Sequence, residues 1–366
     1  MKQKISDFQL ALLVANLIFA GPVISLPQII LQQGDQNAWI VPIIMYPILI
    51  SLIFIVFGKN KNIDWLQNVL LIGSKSKWIE KVFIMLFLLF VIFTIVRDLR
   101  GMIDFVATVL LPTTPNDILM VLSMLVIVYI AISGLEVVAR VTGITFSILF
   151  IIVAMLPFLL LNEWNFGNLQ PLFGWGSIPA ILRAFYVTFS WMGEIFFFLI
   201  IISNINPAKK ARRAVIIGTG LGLFLFFVVL FSSLAVLGTR ILRESTYPSL
   251  MLIQQINITD FLDRLDLVIT VVWLPTIFTK VAFLLYAINH CFSYLYKGNT
   301  NKFLFPISFI IGYLSILMFK NTMDLLRFSF YTWNIIGLIL QLMLLFIFLF
   351  VKRNVKMRVE HNEAKT

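Results

Sequence analysis

Thiol and imidazole groups are scarce in this 366-residue chain, which has one cysteine, Cys291, and two histidines, His290 and His361. A single thiol can neither close an internal disulfide nor build a thiolate metal cluster. Two distant histidines cannot assemble a metalloprotease helix, and no Gly-Lys-Ser/Thr loop is present to cradle ATP. Neither a metal nor a cofactor is expected, and no catalytic constellation marks the chain as an enzyme. Charge is scarce too, with 12% of residues charged against 60% hydrophobic. A soluble domain of this length cannot bury so much apolar surface. Long polar segments are also missing. The longest connections cover 58–81, 162–178 and 238–266, so function has to reside largely in the membrane.

What the chain does have is a series of apolar runs of about twenty residues, enough to cross a bilayer core of roughly 30 Å as helices. Ten are recognised, at 8–30, 39–57, 82–110, 118–133, 141–161, 179–202, 214–237, 267–286, 303–319 and 331–351. They are continuously apolar rather than alternating, which excludes a β-barrel and predicts an all-α membrane protein with one transmembrane domain. The first run follows Lys2 and Lys4 and is too long for a signal peptide, so it reads as a retained helix. The formal net charge of +11 lies mainly in the connections. Lys59, Lys61, Lys75, Lys77, Lys81, Lys209, Lys210, Arg212, Arg213, Lys352 and Arg353 all fall on one side of the predicted topology. That bias predicts cytoplasmic N and C termini, and it makes the lipid bilayer rather than nucleic acid the reason for the charge.

The connection "NEWNFGNLQPLFGWGSIP" divides the spans five and five, into 1–161 and 179–351, followed by a cytoplasmic tail at 352–366. Span one contains "LIFAGPVISLPQ". Pro22 has no N–H and its ring clashes with the carbonyl four residues back, while Gly21 tolerates a break, so the helix is expected to open there. Span six is interrupted at Gly193–Glu194, and Gly193 lies 172 residues after Gly21. Interruptions at matching places in two repeated halves point to a binding site at the bilayer midplane. An odd number of spans per half requires the repeats to be inverted. Opened half-helices present N–H groups at one end and C=O groups at the other, which suits the carboxylate and ammonium of an amino acid.

Two charges sit deep in these spans, where each costs roughly 2.5–3.5 kcal/mol on insertion scales. Glu194 could accept a ligand ammonium, bind a proton, pair with a cation from another helix, or hold the break open. Lys280 could replace a bound sodium ion, pair with Glu194, or meet a ligand carboxylate. Pro275 is positioned to open span eight near Thr276 and Thr279. In span three, Arg100 and Asp104 are spaced i, i+4; together with Arg97 and Asp98 they read as a salt-bridged interfacial end with no functional role. Trp164, Trp175 and Trp333 read as interfacial anchors, and His290 as a hydrogen-bonded helix terminus.

The segments "VANLIFAGPVISLPQ", "NLQPLFGWGSIP", "FSWMGEIFFFL", "NPAKKARRA", "YPSL" and "DRLDLVITVVW" together resemble the spore germination permease-like family, the B subunits of germinant receptors. That family lies within the amino acid/polyamine/organocation transporter superfamily. The resemblance implies a ten-helix inverted-repeat fold in the inner membrane of a bacterial spore. It implies sensing of a small nutrient (amino acid, sugar or nucleoside) in complex with an A subunit and a lipoprotein C subunit. Carried onto this chain, the ligand would lie against Ala20, Gly21, Pro22 and Val23, against Trp191, Met192, Gly193 and Glu194, and near Thr279 and Lys280. Superfamily members often carry Gly-x-Gly at the first break; Ala20-Gly21-Pro22 departs from it, with one N–H fewer. Composition and spacing leave a second role open, that of a proton-coupled amino acid transporter.

Overall fold

The computed structural model describes residues 5–57, 77–170, 177–194, 197–198, 210–256, 265–296 and 301–363. Among these the fold is helical, as expected, with no extended strand. Span one is divided into α1 (Asp7–Ala20) and α2 (Pro22–Gly34), and span two is α3 (Val41–Phe57). Then come α4 (Lys77–Phe105), α5 (Asn116–Ile132), α6 (Leu135–Leu159) and α7 (Ser177–Met192). The rest are α8 (Ala211–Glu244), α9 (Pro248–Ile253), α10 (Leu265–Tyr296), α11 (Asn301–Met318), α12 (Thr322–Arg327) and α13 (Trp333–Glu363). Six of the helical stretches are long and apolar enough to cross a membrane, with shorter apolar helices at α1, α5 and α11. The chain is a multi-pass membrane protein. Residues 195–196 and 199–202 of span six lie outside the described residues, as does Trp175.

α1 starts at a capping box, in which the Ser6 hydroxyl accepts from the N–H of Gln9 and the Gln9 side chain accepts from the N–H of Ser6. These bonds satisfy donors that the first turn leaves free. From there α1 runs buried, packed most extensively on α8. The contact is close because Gly218 and Gly222 face it. A Cβ on Gly222 would sit 2.8 Å from the Ala15 carbonyl oxygen, and one on Gly218 would overlap that of Ala11. Small residues let membrane helices approach backbone to backbone, where dispersion replaces the missing hydrophobic drive.

The connection between the halves is ordered by a second glycine. α8 turns sharply at Gly238, whose φ of 71° lies in the left-handed region that side chains disfavour. The Ala235 carbonyl, freed by the turn, accepts from the Asn165 N–H at 3.0 Å and from Asn168 Nδ2 at 3.1 Å. Trp164 packs edge-on against Phe166 and Phe231 in the same region.

Candidate functional site

Both predicted interruptions are present, at Gly21 between α1 and α2 and at Gly193 after α7. The first is narrower than the opening expected from sequence. Gly21 keeps φ −76° and ψ −50°, in the right-handed helical region, so the helix is broken by lost hydrogen bonds more than by unwinding. The freed groups have identifiable partners. Trp273 Nε1 donates to the Ala20 carbonyl at 2.8 Å. Pro27, one turn on, has no N–H to offer Val23, and the Val23 carbonyl instead accepts from Ser249 Oγ of α9 at 2.6 Å. Such groups cost several kcal/mol each if left unpaired in hydrocarbon.

Four charged side chains meet where the two breaks face each other. Arg97 Nη2 lies 2.7 Å from Asp98 Oδ1 and 3.1 Å from Glu194 Oε1. Lys280 Nζ lies 2.8 Å from Asp98 Oδ2 and 3.0 Å from Glu194 Oε2. The charges alternate around a closed ring, Arg97 to Asp98 to Lys280 to Glu194 and back, contributed by α4, α10 and the segment after α7. Every side chain in it is at most 1% exposed. The ring is formally neutral, which is what a low-dielectric interior requires, since one unpaired buried charge costs far more than a matched set.

The surroundings are fitted to this ring. A Cβ on Gly21 would stand 2.6 Å from Lys280 Nζ and 2.7 Å from Asp98 Oδ2, so glycine is the residue that leaves the ring its place. The planar Arg97 guanidinium sits 4.0 Å from the Trp191 ring centroid and 4.5 Å from that of Trp333, a two-sided cation–π contact. On the far side of α7, Gln341 Nε2 donates to the Ser190 carbonyl at 2.9 Å and Ser190 Oγ to Asn334 Oδ1 at 2.9 Å. Gln341 also fills the space where a Cβ of Gly193 would be. A cavity of about 10 Å³ adjoins the ring, walled in part by Gly21, Ser25, Arg97, Asp98, Trp191 and Trp273. It has room for roughly one water.

Of the residues singled out in the sequence, Gly21, Trp191, Gly193, Glu194 and Lys280 converge here. Ala20 and Val23 contribute backbone carbonyls turned to Trp273 and Ser249. Pro22 and Met192 are buried beside the breaks. Thr279 faces the other way, accepting from Asn16 Nδ2 of α1 at 3.1 Å; the same Nδ2 reaches the Thr276 carbonyl at 3.0 Å. Two expectations are corrected. Arg97 and Asp98 are not an interfacial helix end but half of the ring, and the Arg100–Asp104 pair, formed at 2.9 Å, is itself buried. Trp333 is not an interfacial anchor either. It is fully buried against Arg97, delivered inward by the π-helical turn Phe328–Thr332. The sequence signal for Arg97 and Asp98 was their place sixteen residues or more into an apolar run, too deep for the headgroups.

Helices broken at matched positions around buried charges define a membrane protein of transporter architecture. The fold is shared with Mhp1, a nucleobase-cation-symport-1 family transporter solved in a closed conformation with bromovinylhydantoin bound. The TM-score is 0.58 at 13% identity, covering 90% of this chain and 75% of that one. The profile of the spore germination protein family, the spore permeases, matches residues 4–324, and the chain belongs to that family. It is 31% identical to the Bacillus subtilis chain YfkT, whose name assigns it provisionally to spore germination, over 89% of this chain and 90% of that one. It is 26% identical to spore germination protein KB of the same organism, over 87% and 86% of the two chains.

Proposed function

We propose that the chain is the membrane-embedded B subunit of a spore germinant receptor. It binds a small nutrient (amino acid, sugar or nucleoside) at the midplane between the span-one break, the span-six break and α10, and the bound state triggers germination. The observation that carries this reading is the closed, neutral ring of Arg97, Asp98, Lys280 and Glu194 at the facing breaks. A ring already balanced admits a ligand of zero net charge without stranding a buried ion, whereas a simple anion or cation leaves one member unpaired. The adjoining cavity is too small for a nutrient, so binding requires the ring and the helices bearing it to part. This gives the ligand differential affinity for an open state, as any ligand-driven switch needs.

Under this proposal the protein works in the spore inner membrane, with both termini cytoplasmic, beside an A subunit and a lipoprotein C subunit. Its spans form two inverted five-helix repeats, 1–161 and 179–351. A second reading, a proton-coupled secondary transporter of amino acids, is compatible with the fold shared with Mhp1. Deleting the gene and screening the spores against nutrients, alongside radiolabelled uptake by the purified protein in liposomes, separates the two. A lost germination response with no saturable uptake is the expected result. Saturable uptake with unchanged germination overturns the receptor reading.

A further inference from the structure

Lys320 and Arg327 are exposed cations that the ring does not use. They lie between α11, which ends at Met318, and α13, which begins at Trp333, where one membrane crossing hands over to the next. On the predicted topology this face is opposite the main basic clusters, so the charge bias that orients a chain gives them no purpose. Local structure fixes their places. Asn321 Oδ1 accepts from the Asp324 N–H at 2.9 Å and so caps α12, a role that asparagine fills well. Asp324 and Arg327, three residues apart on that helix, share a face. With Lys320 they line an open cavity of about 770 Å³. Its apolar walls include Leu317, Tyr331 and Phe319, the last packed edge-on against Phe328 at 5.2 Å. Among the described residues neither Lys320 nor Arg327 is in an ion pair.

We propose that this cavity holds the headgroup of an anionic phospholipid of the phosphatidylglycerol type. The phosphate sits between Lys320 and Arg327, the headgroup hydroxyls donate to the Asp324 carboxylate, and the acyl chains leave over Leu317 and Tyr331. Charge selects the class. Two cations and one carboxylate give the site a charge of +1, which a lipid of charge −1 cancels and a zwitterionic lipid does not. The guanidinium of Arg327 offers a planar fork of donors that matches phosphate oxygens. The apolar rim selects a lipid over free phosphate. Tyr331 opens an exposed stripe on α13 continued by Ile335 and Ile339, and Leu317 opens one on α11 continued by Leu314 and Ile310. An inorganic ion would leave both uncovered. Phe328, Tyr331 and Thr332 of the π-helical turn line this cavity, while Ser329 of the same turn lines the small cavity beside the ring. A lipid here therefore bears on the turn that delivers Trp333 to Arg97, and its presence does not depend on where the nutrient binds.

The test is native mass spectrometry of the purified full-length protein in detergent. Phosphatidylglycerol, phosphatidylethanolamine and phosphatidylcholine with the same acyl chains are titrated in turn, and the affinity of the first lipid bound is measured. Phosphatidylglycerol should bind about fivefold or more tightly than either zwitterionic lipid. Lys320→Gln and Arg327→Gln should each weaken it by about fivefold, the worth of one basic residue beside anionic lipid, and the pair by roughly 25-fold. Arg183 and Arg240 are exposed cations of the same predicted face outside the cavity. Arg183→Gln with Arg240→Gln removes the same charge and should leave the affinity unchanged, as should millimolar inorganic phosphate. Monodispersity by size-exclusion chromatography establishes that each variant is folded. Equal affinity for the three lipids, an equal loss in the Arg183 and Arg240 pair, or displacement of the lipid by phosphate overturns the proposal.

Discussion

Gly21 shows how one missing side chain organises the centre of this protein. Adding even a methyl group there brings carbon to 2.6 Å from Lys280 Nζ, so the ring and the first break are a single construction. Within the ring each charge has two partners, and removing one leaves an uncompensated buried ion at a cost of about 3–5 kcal/mol. Lys280→Met should therefore lower the midpoint of thermal unfolding in detergent severely, whereas Lys280→Met combined with Glu194→Gln restores charge balance and should recover more than half of the loss. A double variant no better than the single one would mean that the ring does not act as a neutral unit. Replacing the planar guanidinium by Arg97→Lys keeps the charge but gives up the sandwich between Trp191 and Trp333. Intrinsic tryptophan fluorescence should shift accordingly while the protein stays assembled. Glu194 and Lys280 were legible from sequence because an isolated charge in an apolar run demands a reason. Arg97 and Asp98 lie as deep in an apolar run, but spacing along one helix pairs Arg100 with Asp104 and is silent about partners on another, so their place in the ring was not legible. Trp333 was missed because a tryptophan near a span boundary satisfies the interfacial pattern equally well.

Among the helices, the two parts of span one are tied to different neighbours. α1 is held against α8 at Gly218 and Gly222 and to α10 through Asn16. α2 is held by α7, α8 and α9, with Ser249 on the carbonyl that Pro27 leaves free. Ser249→Ala removes one buried hydrogen bond, a loss of about 1–3 kcal/mol including the orphaned carbonyl. The expected outcome is faster hydrogen–deuterium exchange in α2 and α9 with α1 unchanged; uniform acceleration would show that the two parts of span one are not separately anchored. Gly222→Val forces α1 and α8 apart and should prevent recovery of monodisperse protein, while Gly220→Val, which meets the side chain of Tyr46 rather than α1, should be milder. The positions of both breaks were legible, from Gly-Pro in span one and from the 172-residue match in span six. Their narrowness was not, because whether a freed carbonyl forces unwinding depends on donors such as Trp273 and Ser249, more than two hundred residues away in sequence.

For the molecule as a whole, composition alone fixed the solvent, and continuous apolar runs fixed the fold class. What they left undetermined was the state of the site. Gly21-Pro22 and the span-six interruption imply an opened backbone at the breaks; the structure has a closed ring of side chains with about 10 Å³ beside it. Under the proposed function, a neutral lock that a net-neutral nutrient can replace suits a sensor whose resting state is closed, and recognition would be tied to the parting of α1, α4, α7 and α10. The central claim is that the nutrient acts at this ring. The most direct measurement is the germination dose–response of spores carrying Gly21→Ala, with the amount of protein in the inner membrane checked by immunoblot. We predict an unchanged amount of protein and at least a tenfold change in the nutrient needed for half-maximal germination, because the added methyl enters the space of Lys280 and Asp98 and shifts the balance between the closed and parted ring. A wild-type dose–response at a wild-type amount of protein would contradict the account and place the nutrient elsewhere.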